Sequence, residues 1–539
     1  MKYFPDEPVR GAWATYAIAA LPLAYLFAAL LYSANSAPWG QQVDPESAYA
    51  MTGLAWAAHY PMMKSDHPGT TTTLLVGLII KAWTSLAGRS DVIEFGLKNY
   101  DAIIYASRAA EALILSGALL ASGIVVRNAT RSAVAAMLFQ VAPLVTYESF
   151  RFVMILVPES LMVSCAILGM ALVLKATLDE SPPATGLGVA QGVIFALGLS
   201  SKILYAPLAI LGVSLLRNWR AFAMASLVGA FGFWIFNLVL NPDVFSGGRR
   251  WLVSLATHNG IYGGGEAGFI DFDVFWPNMG ELIAAAPVVS AVFAVGAVMA
   301  LARMITSRRY LDPVSLTLLA SVLAFVVQLV ATSKHFAIHY MLASWALTGG
   351  VLVLIVIETR RLVPAVSPLV AAGAPAMACL FLIATTLVKS RSNAVDWIAL
   401  DATGAGLSKA VIAAAPSCAN VSAMLVRAPE NISTFGGVTT LATNQMRQRF
   451  GEAYARAFNV PLLDHDFYEN RLLKNFQPYS YAQLASDYPC IVVRTHLELD
   501  ARTSNGLLEL KPDHCMVQDI HVYAVGIPCA TIRRAAQSG

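Results

Sequence analysis

Residues 71–88, TTTLLVGLIIKAWTSLAG, are apolar enough to cross a membrane, and how this one segment is read decides the topology of the chain. A bilayer core about 30 Å thick needs roughly 17 to 25 helical residues, so the segment sits at the short limit. Counted as a span, it inverts the side of every later loop. Left out, it leaves basic residues at alternate span ends, the arrangement expected of cytoplasmic loops. These are Lys2 and Arg10, Arg127 and Arg131, Lys175, Arg217 and Arg220, Arg303, Arg308 and Arg309, then Arg360 and Arg361. The segment therefore reads as a helix lying in the interface, with Lys81 and Trp83 suited to that depth. A true span is the alternative, because short apolar runs are ambiguous.

Composition sets the solvent. The chain has 539 residues, 57% hydrophobic and only 13% charged, with a mean hydropathy of +0.61. Such a chain is solvated mostly by lipid. Its net charge of +3 does not point to nucleic acid. The pattern predicts about eleven spans, near 12–33, 106–126, 132–147, 158–174, 186–200, 203–216, 221–240, 282–302, 313–332, 340–357 and 364–388. The charge rule puts the N-terminus in the cytoplasm, and no small-residue cleavage site marks a signal peptide. An odd count puts the C-terminus outside.

After residue 389 the apolar pattern ends, and 390–539 carries ordinary charge and turn residues. Runs such as SAMLVRA, CIVVRTHLEL and CMVQDIHVYAVG read as strands, and TTLATNQMRQRFGEAYARAF has helical spacing. The expected fold is a polytopic α-helical membrane domain, 1–389, followed by a periplasmic or extracellular α/β domain, 390–539. Of six cysteines, Cys165 and Cys379 lie in spans and Cys418, Cys490, Cys515 and Cys529 lie in the outer domain. Four cysteines in an oxidising compartment allow up to two disulfides, in three pairings that sequence leaves open.

The polar residues then gather on one side of the membrane. Asp44, Glu46, His59, Asp66 and His67 follow the first span; Glu148, Arg151 and Glu159 separate the third and fourth; Lys202 separates the fifth and sixth. Arg249, Arg250, His258, Glu266, Asp271 and Asp273 occupy the long loop 241–281, and Lys334, His335, His339 and Tyr340 stand at the mouth of the ninth and tenth spans. Each has a plain reading. Asp44-Pro45-Glu46 is a good helix start. Lys202 can snorkel to the interface. His335 and His339 share a face only if the segment is helical.

The residues also carry a resemblance. In order along the chain, DPESAY with DHPGTTT, YASRAAEALILSGALL, FRFVMILVPESLMV, GLSSKILYAPL and KHFAIHYMLAS resemble the motifs of the C-type glycosyltransferase superfamily (GT-C). These are polytopic enzymes that include protein O-mannosyltransferases and aminoarabinose transferases. The resemblance covers roughly 1–390 and implies transfer of a sugar from a polyprenyl phosphate to an envelope glycan, lipid or protein acceptor, commonly with inversion. It implies Asp44 as general base, Glu46 orienting the acceptor or the base, and Glu159 as a second acid. The leaving phosphate needs positive charge, for which Lys202, Lys334, His335, His339, Arg249 and Arg250 are the candidates, Lys202 and His339 matching best. His67, His258 and Tyr340 remain for sugar or acceptor, with the glycine-rich 258–269 as a lid over them. The sequence names no cofactor, and two acids leave room for a divalent cation. A multi-span transporter or flippase is the rival class; it predicts charged or broken segments at mid-span. A noncatalytic envelope scaffold is a third.

Overall fold

The computed structural model describes residues 4, 12–35, 46–62, 68–259, 266–307, 312–367, 415–423, 443–459, 461–466, 470–495, 506–517 and 520–538. It also describes parts of 370–389 and residues 413, 441, 498, 499 and 504. The chain divides into two compact units. One comprises 1–30, 65–72 and 109–391, the other 31–64, 73–108 and 392–539.

In chain order the helices begin with α1 (Ala12–Asn35), α2 (Glu46–Ala57), α3 (Thr70–Leu86), α4 (Val92–Lys98) and α5 (Tyr100–Thr130). Next come α6 (Ala133–Gln140), α7 (Tyr147–Phe152), α8 (Pro158–Leu178), α9 (Thr185–Ser201) and α10 (Trp219–Leu240). The series continues with α11 (Arg249–Thr257), α12 (Phe272–Ala285), α13 (Pro287–Ser307), α14 (Pro313–Lys334), α15 (Leu342–Trp345) and α16 (Thr348–Leu362). Six of these, α1, α5, α8, α10, α13 and α14, are long and apolar enough to cross a membrane, and a pair bent by 44°, Ile338–Trp345 with Thr348–Leu362, passes the same test together, as a broken span or a re-entrant loop. The protein is a multi-pass membrane protein.

The expectation of about eleven spans is not met by length alone among the described residues, and the reasons are local. The run 132–147 is broken at Ala142–Leu144, a 3₁₀ turn containing Pro143. The run 203–216 is a 3₁₀ helix, Ile203–Leu215, with Pro207 inside it. Proline lacks an N–H and its ring clashes with the carbonyl four residues back, which disfavours an α-turn there. The segment Thr185–Ser201 is apolar but short, and part of 364–388 lies outside the described residues.

The second unit holds a seven-stranded sheet: β1 (Ala419–Ala423), β2 (Leu463–Asp466), β3 (Arg471–Lys474), β4 (Gln477–Tyr479), β5 (Ile491–Thr495), β6 (Asp513–Val517) and β7 (Ile520–Val525), in the order β4-β3-β2-β1-β5-β7-β6. β1 runs parallel to β2 and β5, and the outer pairs are antiparallel. Ala419, Val421, Ala423, Ile491, Val493, Leu472 and Tyr523 form the core of one face. The run CMVQDIHVYAVG contributes to two strands rather than one. Helix 444–458 starts on a Thr443 cap and ends on Asn459 in the left-handed region. Two disulfides, Cys418–Cys490 and Cys515–Cys529, staple this sheet region.

Candidate functional site

In the first unit, Pro158 opens α8 at its first position, where a missing N–H costs nothing, and Glu159 follows in the first turn, where the helix dipole favours a carboxylate. Glu159 is fully buried. Its Oε1 accepts from the ammonium of Lys202, itself buried, and lies 3.8 Å from His339 Nε2. Its other oxygen is buried with no hydrogen-bond partner among the described residues. Lys202 Nζ stands 4.6 Å from the centre of the Tyr340 ring, and Phe152 stacks on His339 at 4.4 Å. Two buried charges are tolerable only when they meet. Here a carboxylate, an ammonium, an imidazole and two rings converge.

Lys202 owes its place to the end of α9. Its backbone is extended, ending the helix, while its N–H still bonds to Gly198 O at 3.1 Å. A side chain at Gly198 would meet the Tyr205 ring within 2.7 Å, so glycine lets the chain fold back directly after Lys202. The segment after DH is anchored at the same point. Gly69 N bonds to Ser201 O (2.9 Å), Thr71 Oγ1 to Ser201 Oγ (2.6 Å) and Thr70 Oγ1 to Asn237 Oδ1 (2.7 Å). Asn237 also donates to Ser200, and Asn241 to Pro68 O. Thr72 donates to Glu111 on α5. The threonines of DHPGTTT are thus a clamp.

The remaining basic candidates occupy other places. Lys334 ends α14 and donates to Ala256 O (2.7 Å), and His335 Nε2 donates to Leu255 O (2.7 Å), so both close the last-turn carbonyls of α11. The chain is not helical between His335 and His339; His335 is the C-cap of α14, outside the helical region, and His339 lies in a 3₁₀ turn, Ile338–Met341. The shared helical face therefore does not form. Arg249 and Arg250 begin α11 and are exposed. His258 caps α11, its Nδ1 3.0 Å from Thr257 Oγ1. The glycine-rich segment is closed at its base, with Asn259 N to Glu266 O at 3.1 Å and Gly268 N to Thr257 O at 2.8 Å. Residues 260–265, the body of the expected lid, lie outside the described residues.

In the second unit, α2 starts at Glu46, and every residue of the helix but Trp56 is buried. Arg108 grips the Glu46 carboxylate with two nitrogens, Nε at 2.6 Å from Oε1 and Nη2 on Oε2, and reaches Ser33 O at 3.3 Å. Tyr100 donates to Ser47 O (2.7 Å). In the sequence Arg108 falls within the run YASRAAEALILSGALL, 105–120. A guanidinium in the first third of a 31-residue apolar helix was the signal that it has a buried partner. Asp44 and His67 lie outside the described residues. Among the described residues no three His, Cys, Asp or Glu side chains group as a metal site.

The fold and these clusters define a class: a multi-pass helical membrane protein with a buried acid–lysine pair at a helix end and a disulfide-stapled α/β sheet. No family model matches the sequence, and no curated protein sequence does. Among solved structures, the crystal structure of ArnT from Cupriavidus metallidurans bound to undecaprenyl phosphate is similar, at 13% sequence identity and a TM-score of 0.48, covering 94% of this chain and 97% of that one.

Proposed function

We infer that the protein is a glycosyltransferase of the inner membrane, moving a sugar from a polyprenyl-phosphate donor to a glycan, lipid or protein acceptor on the outer face. The observation that supports this most is the buried Glu159–Lys202 pair, with His339 and Tyr340 gathered around it at one helix end. In an inverting transfer the acceptor oxygen attacks C1 of the sugar opposite the phosphate. The new C1–O bond forms as the old one breaks, the bonding electrons leave with the phosphate oxygen, and the acceptor proton passes to a carboxylate. That carboxylate is Asp44.

Glu46, held by Arg108, has a positioning role at the start of α2. Lys202 and His339 take the charge that develops on the leaving phosphate. Glu159 balances Lys202 while the donor is absent, so an arriving phosphate lets the ammonium exchange one anionic partner for another and leaves no buried cation bare. Arg249, Arg250, Lys334 and His335 add positive charge farther out, and His67, His258 and Tyr340 serve the sugar and acceptor. The test is transfer from labelled polyprenyl-phosphate sugars in membranes. Lys202→Ala and Asp44→Asn are each expected to lower transfer by roughly 10²- to 10³-fold. Full transfer by Asp44→Asn overturns its role as base. No transfer by the native protein from any such donor overturns the class.

A further inference from the structure

A cleft lies in the first unit, lined by residues other than those of the Lys202 cluster. It measures about 270 Å³ and is framed by the segment leading into α7, the junction of α12 and α13, and residues 385–389. Two kinds of surface line it. Val145, Ala285, Pro287 and Val289 make an aliphatic wall. The lining also holds hydroxyls, Thr146, Thr385 and Thr386, with Tyr147 and the ammonium-bearing Lys389.

Tyr147 is buried, and its hydroxyl has no hydrogen-bond partner among the described residues. Lys389 is exposed, its Nζ 5.0 Å from the centre of the Tyr147 ring. Glu148, next along α7, is raised above the usual carboxylate range by burial, with Arg151 and Lys389 acting in the opposite direction. Burial thus weakens an acid whose charge would compete for Lys389. The cleft also stands where α13, a membrane-grade helix, begins at Pro287.

A cleft at the end of a span, lined by aliphatic side chains together with a cation and hydroxyls, is complementary to one kind of molecule: a lipid with a single anionic phosphodiester head. The geometry points to this cleft as a binding site for an anionic phospholipid, with Lys389 and the threonine hydroxyls on the phosphate and the wall 285–289 against the glycerol and upper acyl chain. The volume holds a head group but not a chain, so the acyl tails run outside along α13.

The test is native mass spectrometry of the full chain released from mixed micelles with phosphatidylglycerol, phosphatidylcholine, or inorganic phosphate as the probe. The native protein is expected to retain phosphatidylglycerol at least fivefold over phosphatidylcholine. Lys389→Ala and Ala285→Trp, the second filling the cleft from an exposed position, are expected to drop it to the phosphatidylcholine level, and Lys389→Arg to restore it. A thermal melt of each variant confirms folding. Undiminished retention in both loss variants overturns the site. Equal retention of both lipids overturns the charge recognition, and displacement of phosphatidylglycerol by millimolar inorganic phosphate shows an anion site in place of a lipid site.

Discussion

Glu159 and Lys202 are a pair whose members cannot be removed one at a time without cost. Deleting one partner of a buried ion pair leaves a charge in a low-dielectric setting and destabilises by about 3–5 kcal/mol, whereas replacing both by apolar groups is often neutral. Glu159→Gln is therefore expected to lower the thermal midpoint of the detergent-solubilised protein more than the double variant Glu159→Leu with Lys202→Met. Differential scanning fluorimetry in one detergent checks the order; a single variant as stable as the native protein would mean that Glu159 does not balance the lysine. The same logic covers Glu46 and Arg108, both fully buried. At this scale the sequence named Glu46, Glu159 and Lys202 as candidates without pairing them. Glu46 and Lys202 stood out because charges are costly beside apolar runs, and Arg108 sat in plain view at the head of α5. What pairs with what is set by the fold, since Glu46 and Arg108 are 62 residues apart and Glu159 and Lys202 are 43 apart. Phe152 on His339 was invisible for the same reason: an aromatic in an apolar run looks like any core residue.

The helices α9 and α10 approach so closely that a side chain at Gly188 would stand 2.0 Å from Ala221 O. A side chain there must push the helices apart. Gly188→Val is expected to destabilise by about 1–3 kcal/mol through overpacking, while Gly186→Val, with open space around it, is expected to be neutral. Thermal midpoints of the two variants decide the matter, and equal loss in both would overturn close packing at Gly188 as the cause. The sheet offers a second prediction. Asp487 is held below the usual carboxylate range by hydrogen bonds from Lys474 (2.8 Å) and from Tyr479. A lowered folded pKa contributes stability above the unfolded value of about 4 and loses it as pH falls. Acid titration of the native protein should therefore show a loss below about pH 4 that Asp487→Asn lacks, as followed by circular dichroism of the strands. Hydropathy located the long helices because twenty apolar residues have few other fates. It placed a break at Lys202, between 186–200 and 203–216, but could not show that the second run, with Pro207 inside it, is a 3₁₀ helix whose Tyr205 packs against Gly198 of α9. A period of 3.6 and a period of 3 look alike when every residue is apolar.

Across the whole molecule, the expected class, helical membrane spans followed by an α/β region with disulfides, was legible because composition changes sharply at residue 389 and four cysteines fall beyond it. The pairing was not legible. Cys418 and Cys490 are 72 residues apart, and they meet because each precedes one of two parallel neighbours, with Ala419 opposite Ile491. The grouping of 31–64 and 73–108 with 392–539 was equally out of reach. One of its local contacts is Arg456 on Asp91 (2.9 Å) and Glu94 (3.4 Å), a pairing across more than 360 positions that no window of sequence contains. The clamp at residues 68–72 has a last consequence, for recombination between relatives. Its threonines are matched to Ser200, Ser201, Asn237 and Asn241, so the first loop and the α9–α10 hairpin are one heritable module. A chimera that imports 68–72 alone inherits half of a lock, and one that imports 68–72 together with 200–241 inherits the key as well.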